Sequence, residues 1–386
     1  MQVKINRRSA YAPIRYEATR PFAVNLGKAF SAASARGEAS RHSFLMDTLL
    51  PVLKRQIGAG AGGGGPVQSE IANVQVFGNY MAGGKIILDM AKVLCQALLH
   101  TDAADVPCGE LVFPFKSFYI HFGGDAGLHD SGMAIEGVFV HKEGDRVLFE
   151  LAPGGFGSVG YLSLPAGEFM VGGFLLLGDP KKTVSQALHD SINGIVEGNK
   201  AMLEQIAVLE KQLSQQYGQV IRVPTGIDDL QGKEPLLLKV LNLVINTLFY
   251  INAEPDDVQE DWGRETPKEA LEELRKTDKA GTIKTLENSL LKAGYTKVRI
   301  VGRRYGESIA GQAVGEAISS GRTMPTHFRR GHLRHQAHGP EHALRKWIFV
   351  APVVVNLSAG QDLPGRIYDV APPRTSSGDE QQTGIP

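Results

Sequence analysis

The hydrophobic pattern of this chain changes in its middle part, where residues 111–177 carry short runs of β-branched and aromatic residues. Clusters of Gly, Pro and Asp separate these runs, which is typical of strands joined by turns. The predicted strands are Ser117–Phe122, Ala134–Val140, Arg146–Leu151 and Phe169–Leu177. Because helical patterns lie on both sides, the sequence predicts an α+β fold. We expect mixed helices with a central, mostly antiparallel sheet and a basic C-terminal α+β region.

The helical patterns lie in three main parts of the chain. Residues 1–100 are predicted to be mainly helical, and residues 183–217 form a second long helical stretch. In a third, the apolar run Leu236–Ile251, polar residues recur at helical spacing and form one stripe. This pattern predicts an amphipathic core helix that is too short to span a bilayer. The stripe consists of Lys239, Asn242 and Asn246.

These patterns divide the chain into five predicted regions. They are an N-terminal helical region at 1–105, a β-rich region at 106–180, a helical region with an acidic linker at 181–265, a basic C-terminal α+β region at 266–370 and a disordered tail at 371–386. The acidic linker runs from Glu254 to Glu265, and clustered carboxylates between helices are usually solvated.

Composition excludes several classes of protein. Cys95 and Cys108 are the two cysteines and have no CxxC spacing, which favours a reducing compartment. The basic amino terminus is not followed by the apolar core of a secretory signal. These features predict a cytoplasmic protein without a membrane partner.

Two glycine-rich segments resemble nucleotide-binding motifs only in part. The run Gly58–Gly65 lacks the Gly-Lys-Ser/Thr ending of a P-loop. The segment Gly155–Gly160 matches GxGxxG, but it lies between predicted strands without a following helix. We therefore expect no cofactor and no dinucleotide ligand.

Positive charge is concentrated near the C-terminus although the whole chain has a net charge of zero. Residues 291–350 contain eleven Lys or Arg and three acidic residues, and Thr326–His342 holds five of the eleven histidines. If this segment is a strand, its residues alternate between two faces. One face carries Arg330, His332, Arg334 and Gln336, and the other carries His327, Arg329, Leu333 and His335. The pair Gly339-Pro340 then turns the chain into a second strand.

Arginine and histidine are the residue types that phosphate binding and ribonucleolytic chemistry need. The predicted RNA or phosphate contacts are Arg329, Arg330, Arg334, Gln336, Arg345 and Lys346. His332 and His335 are the catalytic candidates if the segment cleaves RNA. Three interpretations stay open: a binding regulator without catalysis, which we take as the default, a ribonuclease, and a solvated structural hairpin.

A metal site in the same segment would use four histidines at helical spacing. Gly339 and Pro340 would break that helix before its last ligand, so we expect no metal site. The four residues are His332, His335, His338 and His342.

An aromatic-rich predicted strand, Phe113–Phe122, is a second candidate binding element. Such a strand can offer an edge or groove to a peptide, or it can pack in the core. The candidate peptide contacts are Phe118, Tyr119 and Phe122.

Three stretches of the sequence resemble the second family of type V-A anti-CRISPR proteins, found in phages and mobile elements. They are Phe113–Gly123, Lys239–Asn252 and Phe328–Pro352. In the last, Arg330-Gly331-His332 and Lys346-Trp347-Ile348 match the family pattern, whereas Leu333 stands where the family has tryptophan.

The resemblance implies a regulator that suppresses biogenesis of the type V-A CRISPR effector nuclease in the cytoplasm of a bacterial host cell. Its partners would be the nascent N-terminal peptide of that effector and the mRNA or ribosome, and its action would be loss of the mRNA. The alternative is a ribonuclease or RNA-binding protein of a mobile element that acts on another target.

Overall fold

The computed structural model describes most of the chain from residue 76 onwards and a short N-terminal helix. The described ranges are 9–19, 76–130, 132–153, 172–198, 200–218, 230–316, 327–329, 331–350 and 353–355, together with isolated positions elsewhere. The glycine run at 58–65, the GxGxxG segment at 155–160 and the predicted disordered tail lie outside the described residues.

An eight-stranded mixed sheet forms the centre of the structure. Its strands are β1 (Ile87–Met90), β2 (Ser117–His121), β3 (His129–Asp130), β4 (Met133–Glu143), β5 (Arg146–Pro153), β6 (Gly172–Leu176), β7 (Val258–Trp262) and β8 (Lys297–Val301). Their order is β6-β5-β4-β2-β1-β8-β7, and β3 pairs with β4. Strand β1 runs parallel to β2 and β8, and the other pairs are antiparallel. The predicted α+β fold with a mostly antiparallel sheet is confirmed.

Two strands lie where the sequence predicted something else. Strand β1 lies in the region predicted to be mainly helical, and all four of its residues are buried. Strand β7 lies in the predicted acidic linker. The sheet also crosses the predicted boundaries after residues 105, 180 and 265, because β1, β7 and β8 join the strands of the β-rich region.

Helices cover both faces of the sheet. They are α1 (Ala12–Thr19), α2 (residues 76–82), α3 (Lys92–Leu99), α4 (Val184–Gly198), α5 (Lys200–Tyr217), α6 (Leu230–Ala253), α7 (Lys268–Lys276), α8 (Ala280–Ala293) and α9 (Arg303–Glu316). Short 3-10 turns span Cys108–Glu110, Gly124–Ala126, Pro255–Asp257 and Pro340–His342. The predicted helical stretch at 183–217 is thus two helices, and Gly218 follows it with a left-handed φ of 67°.

Helix α6 is the predicted core helix, although it is longer than predicted. It starts at Leu230 and has 24 residues. Its segment Gly232–Ala253 is, by length and composition alone, long and apolar enough to cross a membrane. This corrects the expectation that the segment is too short. However, 61% of the window is buried inside the protein, as in the core helix of a globular fold. Asn246, from its polar stripe, is buried and donates to the carbonyls of Leu98 (3.2 Å) and Thr101 (2.7 Å).

The core has two parts, one on each face of the sheet. On one face, Phe118 and Ile120 of β2 pack with residues of α3, α4 and α6. On the other face, Tyr119 packs with Tyr80 of α2 and with Tyr11, which directly precedes α1. Both faces of β2 are therefore covered.

Buried polar contacts fasten the N-terminal helix to the sheet. Arg15 forms an ion pair with Glu136 of β4, and the hydroxyl of Tyr11 donates to Asp89 Oδ2 of β1 (2.8 Å). The guanidinium of Arg264 also pairs with the Asp89 carboxylate. Helix α1 is thus an integral layer of the fold.

A β-hairpin follows helix α9 and adjoins the main body. Its strands are β9 (His327–Arg329), β10 (His332–His338), β11 (Leu344–Val350) and β12 (Val353–Val355). Strand β10 pairs with β11, and β9 pairs with β12 in the same register.

Candidate nucleic-acid and peptide sites

The hairpin confirms the strand and turn predicted from the His/Arg segment. Antiparallel pairing runs from His332 opposite Val350 to His338 opposite Leu344. The turn begins at Gly339 with a φ of 78°, which glycine adopts without steric cost. Because residues 332–338 form a strand, the helical spacing that a four-histidine metal site requires does not exist here. Among the described residues, no group of three or more His, Cys, Asp or Glu is placed to hold a metal ion.

The register of the hairpin divides the predicted contact residues between two faces. Residues opposite each other in an antiparallel pair share a face. One face holds His332, Arg334, Gln336 and Lys346, and the other holds His335 and Arg345. Arg329 lies in the separate strand pair of β9 and β12, opposite Val353. Arg330 lies outside the described residues. The two catalytic candidates thus occupy opposite faces, so this geometry does not support an acid–base pair of His332 and His335 acting on one phosphate.

The face with Arg334 is suited to binding an anion. His332 and Arg334 are exposed, whereas Gln336 is half-buried. Arg334 Nη2 donates to Gln336 Oε1 (2.6 Å), which uses one of five guanidinium N–H donors. Residues 327–355 contain five Lys or Arg and one acidic residue, Glu341. The hairpin therefore carries a net positive charge that attracts phosphate.

Aromatic rings anchor the hairpin to the body of the protein. Phe349 of β11 meets Tyr250 of α6 edge to face, with ring centroids 6.1 Å apart. Tyr250 also meets Tyr305 of α9, with centroids 6.3 Å apart. The position of the basic strands is therefore linked to the packing of α6 against α9.

Asp257 holds this anchor together and corrects the prediction of a solvated acidic linker. The residue is only 4% exposed. Its carboxylate accepts hydrogen bonds from the Tyr250 hydroxyl (2.6 Å) and from the backbone N–H groups of Arg304 (2.7 Å) and Tyr305 (3.1 Å). It thus satisfies the first N–H groups of α9, as an N-cap residue would. Because Asp257 is far from α9 in sequence, no local capping motif indicated this role.

We expect the protein to lose stability at alkaline pH because the tyrosines around this anchor are buried. Burial raises the pKa of Tyr305 to about 12, and burial together with the hydrogen bond to Asp257 raises the pKa of Tyr250. A tyrosine whose pKa is higher in the folded than in the unfolded protein stabilises the fold. Its contribution is fully present below the unfolded-state pKa of about 10 and is lost as the pH rises through the folded-state pKa. We expect the free energy of unfolding, measured with urea, to fall between about pH 10 and pH 12.

The control for this prediction is Tyr305→Phe, which removes one raised group and should make the decrease shallower. Tyrosinate absorbance reports the same ionisation directly. If every tyrosine of the folded protein ionised near pH 10 without unfolding, the prediction would be wrong.

An open apolar groove of about 470 Å³ lies at the base of the hairpin. It is lined by Glu110, Leu111, Val112, Leu248, Phe249, Asn252, Ala253, Ile348 and Phe349. Val112 is 60% exposed, and Asn252 Nδ2 donates to its carbonyl (3.2 Å). Three distant segments build this groove, so only the final structure brings its walls together.

The predicted peptide contacts, two on β2 and Phe122 directly after it, are corrected by the structure. Phe118 and Tyr119 have no exposed surface and Phe122 is 3% exposed. Strand β2 lies between β1 and β4, so it offers no free edge either. These aromatic residues are core residues.

Comparison with known protein families agrees with the sequence resemblance. A model of the AcrVA2-like family, described as the anti-CRISPR type V subtype A2 family, matches residues 88–357. The match includes the sheet, the groove and the hairpin. A solved structure, the crystal structure of AcrVA2, aligns with a TM-score of 0.42 and 13% sequence identity over 89% of this chain and 97% of its own. Comparison with curated proteins found no match. Because the family model covers more than half of the sequence, the chain belongs to the AcrVA2-like family of anti-CRISPR proteins.

Proposed function

We propose that this protein suppresses biogenesis of the type V-A CRISPR effector nuclease by recognising its nascent N-terminal peptide and triggering loss of its mRNA. The observation that supports the proposal best is the proximity of two surfaces. One is the basic face of the hairpin, and the other is the apolar groove at the hairpin base. Both surfaces include strand β11.

The groove has the size and chemistry for a short extended peptide. Its volume of about 470 Å³ is that of an ordinary ligand site. Leu248, Phe249 and Ile348 supply apolar walls for peptide side chains, while Glu110 and Asn252 supply polar groups at its boundary. A nascent peptide is unfolded, so its apolar side chains are available to such a groove.

The hairpin has the charge to bind RNA near the ribosome. Exposed Arg334 and His332 lie on one face, and phosphate attraction is independent of sequence. This attraction should weaken as salt concentration rises, because the counterions that binding releases from RNA gain less entropy when the solution already contains more salt. His332 and His335 lie on opposite faces of the hairpin, so we assign binding rather than cleavage to this surface.

The geometry gives a reason for requiring peptide and RNA together. Ile348 lines the groove, and its cross-strand partner is Arg334. A peptide in the groove and an RNA on the hairpin would therefore lie beside each other. A translating ribosome brings a nascent peptide and its mRNA to one place, which matches this arrangement.

The test measures the effector transcript during co-expression with this protein. The variant His332→Ala/Arg334→Glu removes charge from the basic face, and Lys284→Glu makes a matched change on an exposed residue of α8. Each is tested with an intact effector and with an effector that lacks its N-terminal codons. We expect the transcript to fall only with wild-type or Lys284→Glu protein and the intact effector.

Other outcomes separate the alternatives. If the transcript falls equally without the N-terminal codons, peptide recognition is wrong and an RNA-directed activity of a mobile element on another target is favoured. If the transcript never falls, the proposed mechanism is wrong for this chain.

A further inference from the structure

The outer edge of the sheet presents an unpaired strand in the described part of the chain. Strand β7 is the last strand in the sheet order, and its one strand neighbour is β8. Such an edge exposes backbone N–H and C=O groups that can pair with another extended chain. The orientation of β7 determines which of its backbone groups point outwards.

The hydrogen bonds that flank β7 fix this orientation. Gly263 N–H donates to the Thr296 carbonyl (3.0 Å), and Gly302 N–H donates to the Asp257 carbonyl (3.2 Å). In an antiparallel ladder the residues alternate between bonding their neighbour and pointing away from it. Residues 257, 259, 261 and 263 therefore face β8. Val258, Glu260 and Trp262 direct their backbone groups outwards.

Two outward N–H groups are already satisfied within the protein, those of Trp262 and Val258. The N–H of Trp262 donates to Asp261 Oδ1 (2.8 Å). The N–H of Val258 donates to the Pro255 carbonyl in the preceding 3-10 turn. The N–H and C=O groups of Glu260 remain for a partner, together with the C=O groups of Val258 and Trp262. This spacing is that of a short added strand, because bonding groups on one side of a strand recur every second residue.

Charge indicates which chain would pair here. Arg303 neutralises Asp261 through a bond of 2.7 Å, and Arg299 lies over the Phe115 ring, 4.6 Å from its centroid. Exposed Glu254, Asp256 and Glu260 have no ion-pair partner among the described residues. A second copy of β7 would place like charges opposite each other, and RNA would bring phosphates to carboxylates, so both are disfavoured.

We propose that β7 is a docking edge for an extended basic segment of another protein, which adds a strand centred on Glu260 and also bonds to the carbonyls of Val258 and Trp262. The mode is β-strand addition, in which main-chain hydrogen bonds supply affinity and side chains supply selectivity. This inference does not depend on the proposed function, because β7 and the hairpin are separate surfaces of opposite charge. It gives the protein a second binding site, for a basic protein segment.

The test uses an alternating Lys-Val peptide of about six residues as the probe. Hydrogen exchange measured residue by residue should show that the peptide protects the amide of Glu260, which exchanges quickly in the free protein. Gln259 and Asp261, whose amides face β8, should be protected with and without the peptide. The matching Glu-Val peptide should not bind.

Variants separate the backbone contribution from the charge contribution. Glu260→Lys should weaken binding roughly tenfold through charge, and Glu260→Pro should abolish it, because proline removes an outward N–H that is not part of the β8 ladder. Glu273→Lys, a charge reversal on an exposed residue of α7, is the matched control and should leave binding unchanged.

A probe methylated on alternate backbone nitrogens keeps the test independent of how the variants fold, since it is used with the wild-type protein. It should fail to bind. If the methylated probe binds as tightly as the parent, or if binding does not protect the amide of Glu260, strand addition at β7 is wrong.

Discussion

Replacing Glu136 with alanine should lower the free energy of unfolding by about 3–5 kcal/mol. Glu136 of β4 pairs with Arg15 of α1, and the side chains are 9% and 4% exposed. The change would leave the guanidinium of Arg15 buried without its counter-charge. Its Nη1 already donates to the carbonyls of Ser9 and Ala10, both at 2.7 Å, so the side chain is held where water cannot readily replace the carboxylate.

Urea denaturation of the full chain measures this effect. The matched control is Glu287→Ala, which breaks a more exposed pair with Lys297 (2.8 Å, side chains 32% and 37% exposed) and should cost less than about 1 kcal/mol. The double variant Arg15→Met/Glu136→Leu should recover most of the lost stability, because an apolar pair needs no compensation for charge. Equal losses in Glu136→Ala and Glu287→Ala would show that the Arg15 pair is not buried in solution.

The parts of the fold that follow a local periodic pattern could be predicted from the sequence. Alternation and turn residues located β4 and β5, and helical spacing located α6. Strand β1 could not be found in this way, because a parallel central strand is buried on both faces and does not alternate. In the sequence it merges with the apolar residues of α3, so the whole segment has the appearance of one helix.

The candidate sites show the same difference between features built by one local segment and features built by distant segments. The hairpin was predictable, since one segment contains its strand, its turn and its charge. The groove and the Asp257 anchor were not, because residues far apart in sequence build them. Strand β2 shows the converse error: an aromatic strand can line a groove or fill a core, and only its central position in the sheet decides between them.

The anchor at Asp257 should be nearly as sensitive as the buried ion pair. Asp257→Ala removes the acceptor of the Tyr250 hydroxyl and of two backbone N–H groups of α9. The loss of an N-cap and of a hydrogen bond to a charged group suggests a cost of about 2–4 kcal/mol in urea denaturation. Hydrogen exchange at the amides of Arg304 and Tyr305 should accelerate more than exchange elsewhere in α9, because those two N–H groups lose their partner.

Two further variants show whether the Tyr250 hydroxyl and the helix cap act through the same carboxylate. Tyr250→Phe keeps the ring that packs on Phe349 and removes only the hydroxyl, so it should cost less than Asp257→Ala. In the double variant the two losses should not add, because both remove the same bond. Fully additive losses would mean that the hydroxyl and Asp257 do not interact in solution. Such a result would also remove the structural link by which helix α6 fixes the basic hairpin relative to helix α9.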